Sequence, residues 1–429
     1  MKPILQVALD FVDLARAIKA AREAVKGGVD WLEVGTPLIK AEGMNAIREI
    51  KKIFPKYKIV ADMKTMDAGR LEVEMAAKAG ADIVEIMGAA SDTTIRECVE
   101  AGKNYGAEIL VDLLEIENPR ERAREIEKSG ANYIGVHTPI DTQMLGEKPF
   151  EIIRKVRKVT NLPIAVAGGI NSENVVDAIK AGANIIIAGG AIIKSENAIE
   201  STRKIKKAME SMKAIKTTLY KRMGLKDIRK ILGLVSSPNL SDAMHRGGSL
   251  KGIYPVVKGV KMIGEAITVR TYPGDWAKPV EAIDIAKKGS VIVIDAGGVG
   301  PAVWGELATE SAIQKGISGV VIDGAIRDIP EITKLKFPAF ARLITPEAGE
   351  PKGFGEINVP VNAAGVKVFP GDWLVGDDDG VVVIPYVKAV EIANRAMDVL
   401  ERENRVRKEI REGSTLSSVM ELLKWEKRG

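Results

Sequence analysis

The chain has 429 residues, 46% hydrophobic and 28% charged, and its 63 basic and 58 acidic side chains leave a net charge of +5. That is globular material for roughly two or three domains, and so small a charge excess leaves no nucleic-acid footprint. The single cysteine, Cys98, excludes an intrachain disulfide and suits a reducing compartment. No apolar run is long enough to cross a membrane and no signal-peptide pattern opens the chain, so the expectation is a cytoplasmic protein.

Residues 1–211 repeat one unit about eight times, a short aliphatic strand followed by an amphipathic helix. The predicted strands are Ile4–Leu9, Trp31–Gly35, Lys58–Met63, Ile83–Met87, Glu108–Leu113, Tyr133–His137, Ile164–Ala167 and Ile185–Ala188. Between them, stretches such as Asp13–Ala21 carry helical periodicity. Several helices close alike, on Gly27-Gly28, Ala79-Gly80, Ser129-Gly130 and Ala181-Gly182, where a left-handed glycine hands over to the next strand. This predicts an α/β chain opening on a closed (β/α)8 barrel, an open doubly wound sheet being the alternative.

Active sites of such barrels lie at the C-terminal strand ends. Those ends carry Asp10, Glu33, the group Asp62, Lys64 and Asp67, then His137, Gly168-Gly169 and Gly189-Gly190. Glu33 and Asp62 end neighbouring strands and suit Mg²⁺ or Mn²⁺, which keep waters and take few protein ligands; the plainer reading is two acids balanced by Lys64. His137 has the titration range of a general acid and base. The two glycine pairs follow strands seven and eight, the usual phosphate position.

The motif Asp62-x-Lys64-x-x-Asp67, with Val166-Ala167-Gly168-Gly169-Ile170 and Ala188-Gly189-Gly190-Ala191-Ile192, resembles the orotidine 5′-phosphate decarboxylase superfamily. Within it, Glu33 and His137-Thr138-Pro139-Ile140-Asp141-Thr142-Gln143 resemble the 3-hexulose-6-phosphate synthases. The resemblance implies aldol joining of formaldehyde to ribulose 5-phosphate, or the reverse cleavage. It implies a metal on Glu33 and Asp62, an enediolate supported by Lys64, a proton moved by His137, and Asp67 reaching into a partner's site in a dimer. Pro139 stands where that family commonly has glycine. The nucleotide decarboxylases have a lysine where Glu33 stands. The 3-keto-gulonate 6-phosphate decarboxylases, an open alternative, tend to an arginine just after the histidine, where this chain has Thr138 and Pro139.

From Glu200 to Lys216 the chain reads as a last barrel helix with a solvated basic face, running into a linker. A second domain is expected over 217–390, followed by a charged helical tail over 391–429 that packs on a surface or another subunit. In this domain Ser290–Asp295 reads as a strand, Ala296-Gly297-Gly298-Val299-Gly300 as a loop, and Pro301 as the start of a helix carrying Trp304, Glu306 and Leu307. Amides of Gly297, Gly298 and Gly300 at such a helix start would bind an anion. Gly319–Asp328 is a buried strand delivering Arg327, suited to a carboxylate or ketone oxygen, and Asp328, suited to a divalent metal; a simple Arg–Asp pair is the alternative. The acids Asp377-Asp378-Asp379 read as a hairpin tip.

Asp295-Ala296-Gly297-Gly298, Gly305-Glu306-Leu307, Gly324–Asp328 and Gly376–Val382 resemble the regulator of ribonuclease activity A family, which includes 4-hydroxy-4-methyl-2-oxoglutarate aldolases. That resemblance implies an α-keto-acid substrate, a swivelling-type β/α core, and site residues at Glu306, Arg327, Asp328 and Glu331. It also implies a trimer or hexamer, so that with a dimeric barrel the whole chain would be a homo-oligomer. A non-catalytic, partner-binding second domain is the competing reading.

Overall fold

A computed structural model describes residues 2–139, 144, 149–219, 222 and 224–420. The chain divides into two compact units, Met1–Lys221 together with Glu401–Gly429, and Arg222–Leu400.

The first unit is a closed barrel of eight parallel strands in sequence order. They are β1 (Ile4–Leu9), β2 (Trp31–Val34), β3 (Lys58–Thr65), β4 (Ile83–Met87), β5 (Glu108–Asp112), β6 (Tyr133–His137), β7 (Ile164–Ala167) and β8 (Ile185–Ala188). Closure follows from the repeat: each amphipathic helix returns the chain to the start of the next strand, and β8 pairs with β1. The helix Leu14–Gly27 shows the local logic. Asp13 caps its start by accepting from Arg16 N at 2.8 Å, and Gly28 closes it at φ 95°.

Side chains two apart on a strand share a face. Facing the helices, Leu5, Val7, Leu9, Leu32, Val34, Ile59, Ala61 and their equivalents form the larger core. Inside the barrel, Ala8, Trp31, Val60, Ile83, Leu110, Tyr133, Ala165 and Ile185 form a second, with all eight strands contributing. Two residues further along, on the same inward face, β2 to β5 carry Glu33, Asp62, Glu85 and Asp112, all buried. The apolar layer therefore floors an acidic one.

The second unit is built on a mixed sheet in the order β19-β18-β10-β11-β13-β14-β9, with β12 beside β13 and β15 beside β10. Its strands are β9 (Tyr254–Pro255), β10 (Met262–Arg270), β11 (Val291–Asp295), β12 (Ala302–Trp304), β13 (Gly319–Ile326), β14 (Ala339–Ile344), β15 (Glu356–Ile357), β18 (Trp373–Asp377) and β19 (Gly380–Ile384). A small separate ribbon joins β16 (Val361–Ala363) and β17 (Val366–Val368). Both faces are covered: Ile292, Ile294, Val320 and Ile322 point into one core, and Val291, Val293 and Val321 into the other. The acids at 377–379 form the expected hairpin tip, with Asp377 opposite Gly380.

One element differs from expectation. Pro301 does not begin a helix. Ala302–Trp304 is a strand paired with β13, and the helix begins at Glu306. Val303 and Trp304 favour a buried pleat, and both fill the core beside β13.

Among the described residues no helix is long and apolar enough to cross a membrane. The helix Ala389–Arg411 belongs to the second unit through Leu400 and to the first from Glu401 onward.

Candidate active site

The barrel mouth is organised around the end of β3. Its pairing with β4 slips between Asp62 and Thr65, and Lys64 sits there at φ 49°. A bulge of this kind re-aims side chains, and a left-handed non-glycine residue is held only where its surroundings insist on it. Asp62 and Lys64 share the mouth: Lys64 Nζ donates to Asp62 Oδ1 at 3.1 Å and lies 3.5 Å from Asp112 Oδ2 and 4.0 Å from Glu85 Oε1. Burial alone would lower the lysine's pKa, but Glu85, Asp62 and Asp112 outweigh it and raise it.

Around that ammonium the carboxylates divide into two kinds. Asp112 lies below its ordinary range, because the His137 hydrogen bond and the charges of His137 and Lys64 overcome its burial. Glu33 is pushed well above the carboxylate range by burial, then by Asp62 and Asp10, although Gln6 Nε2 donates to it at 2.6 Å. Glu85 is pushed up likewise, by burial and then Asp62. Asp10 opens to solvent yet is crowded by protein, and that crowding and Asp62 raise it too. Its carboxylate rests against Gly35, where a Cβ would come within 2.3 Å of Oδ1, so only glycine admits it.

His137, at the end of β6, meets Asp112 Oδ2 through Nδ1 at 3.2 Å. An ionised carboxylate only accepts, so Nδ1 carries the proton and Nε2 is left for the mouth. Gly135 makes room for this: a Cβ there would press on Asp112 Cα at 3.1 Å. Thr36, just past β2, places its hydroxyl 2.7 Å from Asp62 Oδ2.

The glycine pairs lie at the ends of β7 and β8. Gly168, at φ 106°, is packed so that a Cβ would meet Thr138 O at 2.7 Å. Gly189 adjoins Asp10, and Gly190 opens the short helix Gly190–Ile193. Lys194 follows it, its Nζ 3.8 Å from where a Gly190 Cβ would stand. Asp67 lies outside the mouth cluster. It is exposed, accepts from Ala68 N at 2.7 Å, and lines an open groove of about 640 Å³ with Arg70, Glu74 and Glu97. Of the motif His137–Gln143, residues 140–143 lie outside the described residues.

In the second unit, Arg327 and Asp328 follow β13. Asp328 is left-handed at φ 61°. Its Oδ2 accepts from Glu306 N at 3.1 Å and lies 3.4 Å from Arg327 Nε. Gly305 makes that approach feasible, since a Cβ there would stand 2.5 Å from the same oxygen. The fold thus brings Glu306, Arg327 and Asp328 together at a helix start, while Glu331 lies one turn on, 3.8 Å from Lys334. The glycine loop opens no helix. Gly297 N donates to Asp295 and Gly298 N to Asp323 O, and Gly300 leads into β12 rather than a helix. Beside the loop, Asp323 pairs with Arg342 at 2.5 Å.

Residues 3–205 match the model of the orotidine 5′-phosphate decarboxylase / HUMPS family. A 3-hexulose-6-phosphate synthase of Bacillus subtilis is 39% identical over 203 residues, 47% of this chain and 96% of that protein. The chain belongs to the orotidine 5′-phosphate decarboxylase / HUMPS family. It is an enzyme, and one fused to a second family's domain, because residues 237–383 match the Aldolase/RraA model. Among solved structures, the 3-hexulose-6-phosphate synthase of Salmonella typhimurium is 37% identical with a TM-score of 0.47, covering 49% of this chain and 100% of that one. RraAS2 of Streptomyces coelicolor, described as an unusual member of the RNase ES inhibitor RraA family, is 31% identical with a TM-score of 0.40, covering 43% and 98%.

For this HUMPS-family barrel the donor set fits a divalent cation. The mouth holds more carboxylates than cations, three of them, Glu33, Glu85 and Asp10, are raised by burial and then by Asp62, and among the described residues the buried Gln6 Oε1 has no hydrogen-bond partner. All these atoms are hard oxygens, as Mg²⁺ or Mn²⁺ prefer. Among the described residues no three His, Cys, Asp or Glu side chains form a metal cage, so Glu33 and Asp62 would hold the ion with water completing its shell. Sequence reasoning missed Gln6, Glu85, Asp112 and Lys194. The signal for two of these was an acid two residues after an apolar inward position, in Ile83-x-Glu85 and Leu110-x-Asp112.

Proposed function

We propose that the barrel interconverts 3-hexulose 6-phosphate with ribulose 5-phosphate and formaldehyde. The observation that carries this is the convergence of Glu33, Asp62, Lys64 and an Asp112-oriented His137 on one mouth. In the joining direction His137 Nε2 removes a proton from the sugar's first carbon. Lys64 hydrogen-bonds the enediolate oxygens, and the new carbon–carbon bond forms at the formaldehyde carbonyl, whose oxygen takes up a proton. A divalent cation held by Glu33 and Asp62 would supply positive charge opposite those oxygens. Gly168, Gly169, Gly189 and Gly190 would take the phosphate, with Asp10 facing the sugar. Asp67 would complete a neighbouring subunit's site. Its exposure, beside exposed Met66, Leu71 and Met75, supports a dimer.

The second domain, on this reading, cleaves or decarboxylates an α-keto acid in the same cytoplasmic enzyme. Asp328 would hold the metal, Arg327 the ketone or carboxylate oxygen, and Glu306 a water that protonates the enolate.

The test is an assay of the full chain on 3-hexulose 6-phosphate with released formaldehyde trapped, with and without EDTA. Formaldehyde release that EDTA abolishes is expected. Release of CO₂ from 3-keto-gulonate 6-phosphate instead, with no formaldehyde from the hexulose, would replace this reading with the decarboxylase one.

A further inference from the structure

The family match ends at residue 205, yet the barrel's last strand loop is held by a residue far beyond it. Arg405, in the helix Ala389–Arg411, is buried within the first unit and makes three hydrogen bonds there. Its Nη1 donates to the carbonyl of Ser195 at 3.1 Å, Nη2 to Glu23 at 2.9 Å and Nε to Glu409 at 3.0 Å. Glu409 is itself buried and bridges at 3.2 Å to Arg16. Arg16 Nη1 in turn donates to Val419 O at 3.0 Å, and Lys408 donates to Glu196 O. Glu23 and Arg16 lie on the helix after β1, and Ser195 and Glu196 on the loop after β8. The clamp therefore spans the seam where the barrel closes.

That seam is where Asp10, Gly189 and Gly190 meet. From Ser195 the path to them is short: Ser195 N donates to Ile192 O, Lys194 N to Gly190 O and Ile193 N to Gly189 O. A carbonyl gripped by a buried guanidinium fixes the far end of this turn, and the near end carries the glycines. Burying the charge is tolerable because every side of the fork is used.

We propose that Arg405 is a positioning residue for the phosphate end of the barrel site, so that sugar-phosphate affinity depends on the helix Ala389–Arg411. This rests on the proposed sugar-phosphate reading. The experiment compares full-length parent, Arg405→Gln and Arg405→Lys, with Lys408→Met as a milder cut at the same loop. Three quantities are read: KM and kcat for ribulose 5-phosphate with formaldehyde, the inhibition constant of inorganic phosphate, and amide hydrogen exchange of peptides covering 189–197. In Arg405→Gln, KM and the phosphate constant should rise together by about three- to tenfold, with kcat within about twofold, since misplacing a binding group mainly costs positioning. Exchange over 189–197 should quicken while β3 to β5 stay protected. Arg405→Lys, keeping the charge but losing the fork, should fall between. If Arg405→Gln does not fold, Arg405→Lys and Lys408→Met carry the same comparison. A lower Tm with KM and exchange unchanged would reduce Arg405 to a stabilising contact and overturn the proposal. If the parent neither binds nor turns over ribulose 5-phosphate, the reading of function fails. Exchange over 189–197 still decides the clamp, and no change there overturns it.

Discussion

Two strand ends in this chain carry nearly the same residues and differ in what surrounds them. At the end of β3, Asp62 and Lys64 sit among Glu33, Glu85, Asp112 and His137, and Asp112 is 1% exposed. At the end of β13, Arg327 and Asp328 have side chains 42% and 36% exposed, and their partners are each other and the amide of Glu306. Closure makes the difference. A closed barrel aims eight strand ends at one axis, so acids from neighbouring strands crowd and shift one another's protonation. In the second unit's sheet the strand ends lie side by side, and Arg327 and Asp328 pair locally and stay part-exposed. An Asp beside a cation is therefore one of a crowd of ionisable groups in one place and an open, local pair in the other.

The largest expected effect tests the crowded end. Glu33→Gln or Asp62→Asn should cut formaldehyde-forming turnover by about 10³-fold or more. Each should also reduce the rise in Tm expected of the parent with Mg²⁺, whereas Asp328→Ala should leave the turnover intact. Full parent activity in EDTA, or full activity in both mutants, would remove the metal from the barrel and much of the contrast with it.

A smaller effect separates the proton carrier from the residue that orients it. His137→Asn should slow exchange of the sugar's C1 proton with solvent by ~10²–10⁴. Asp112→Asn keeps the ring but loosens its tautomer and position, so a loss of about 10- to 100-fold is expected. Inorganic phosphate should bind both as it binds the parent. Exchange at the parent rate in His137→Asn would make the histidine structural.

The smallest effect sharpens the exposed end. In a Glu33→Gln background, the full chain should decarboxylate oxaloacetate with Mn²⁺ faster than the free metal. Arg327→Ala and Asp328→Ala should each return it to that background, while in the parent background neither should move the barrel reaction. A chain that never exceeds free metal would leave the second domain to a partner-binding role.

What the amino-acid order determined by itself was everything set by period and by local backbone chemistry. Apolar runs of strand length, helical spacing and glycine stops marked the barrel, and the observed strands agree with the predicted ones to within two residues. The residues that end those strands, Asp10, Glu33, Asp62, Lys64, His137 and the glycine pairs, were visible because strand ends must meet the mouth. Three things waited on tertiary structure. Glu85 and Asp112 stood unremarked within their strands until closure of the barrel placed them beside Lys64. The segment after Gly300 read as a helix start, but an open place beside β13 drew Ala302–Trp304 into the sheet, because pairing there buries Val303 and Trp304. Arg405 carried no signal at all, since its partners Ser195 and Glu23 lie hundreds of residues away, and only packing could reveal that a charge in the helix Ala389–Arg411 is satisfied where the first and last barrel strands meet.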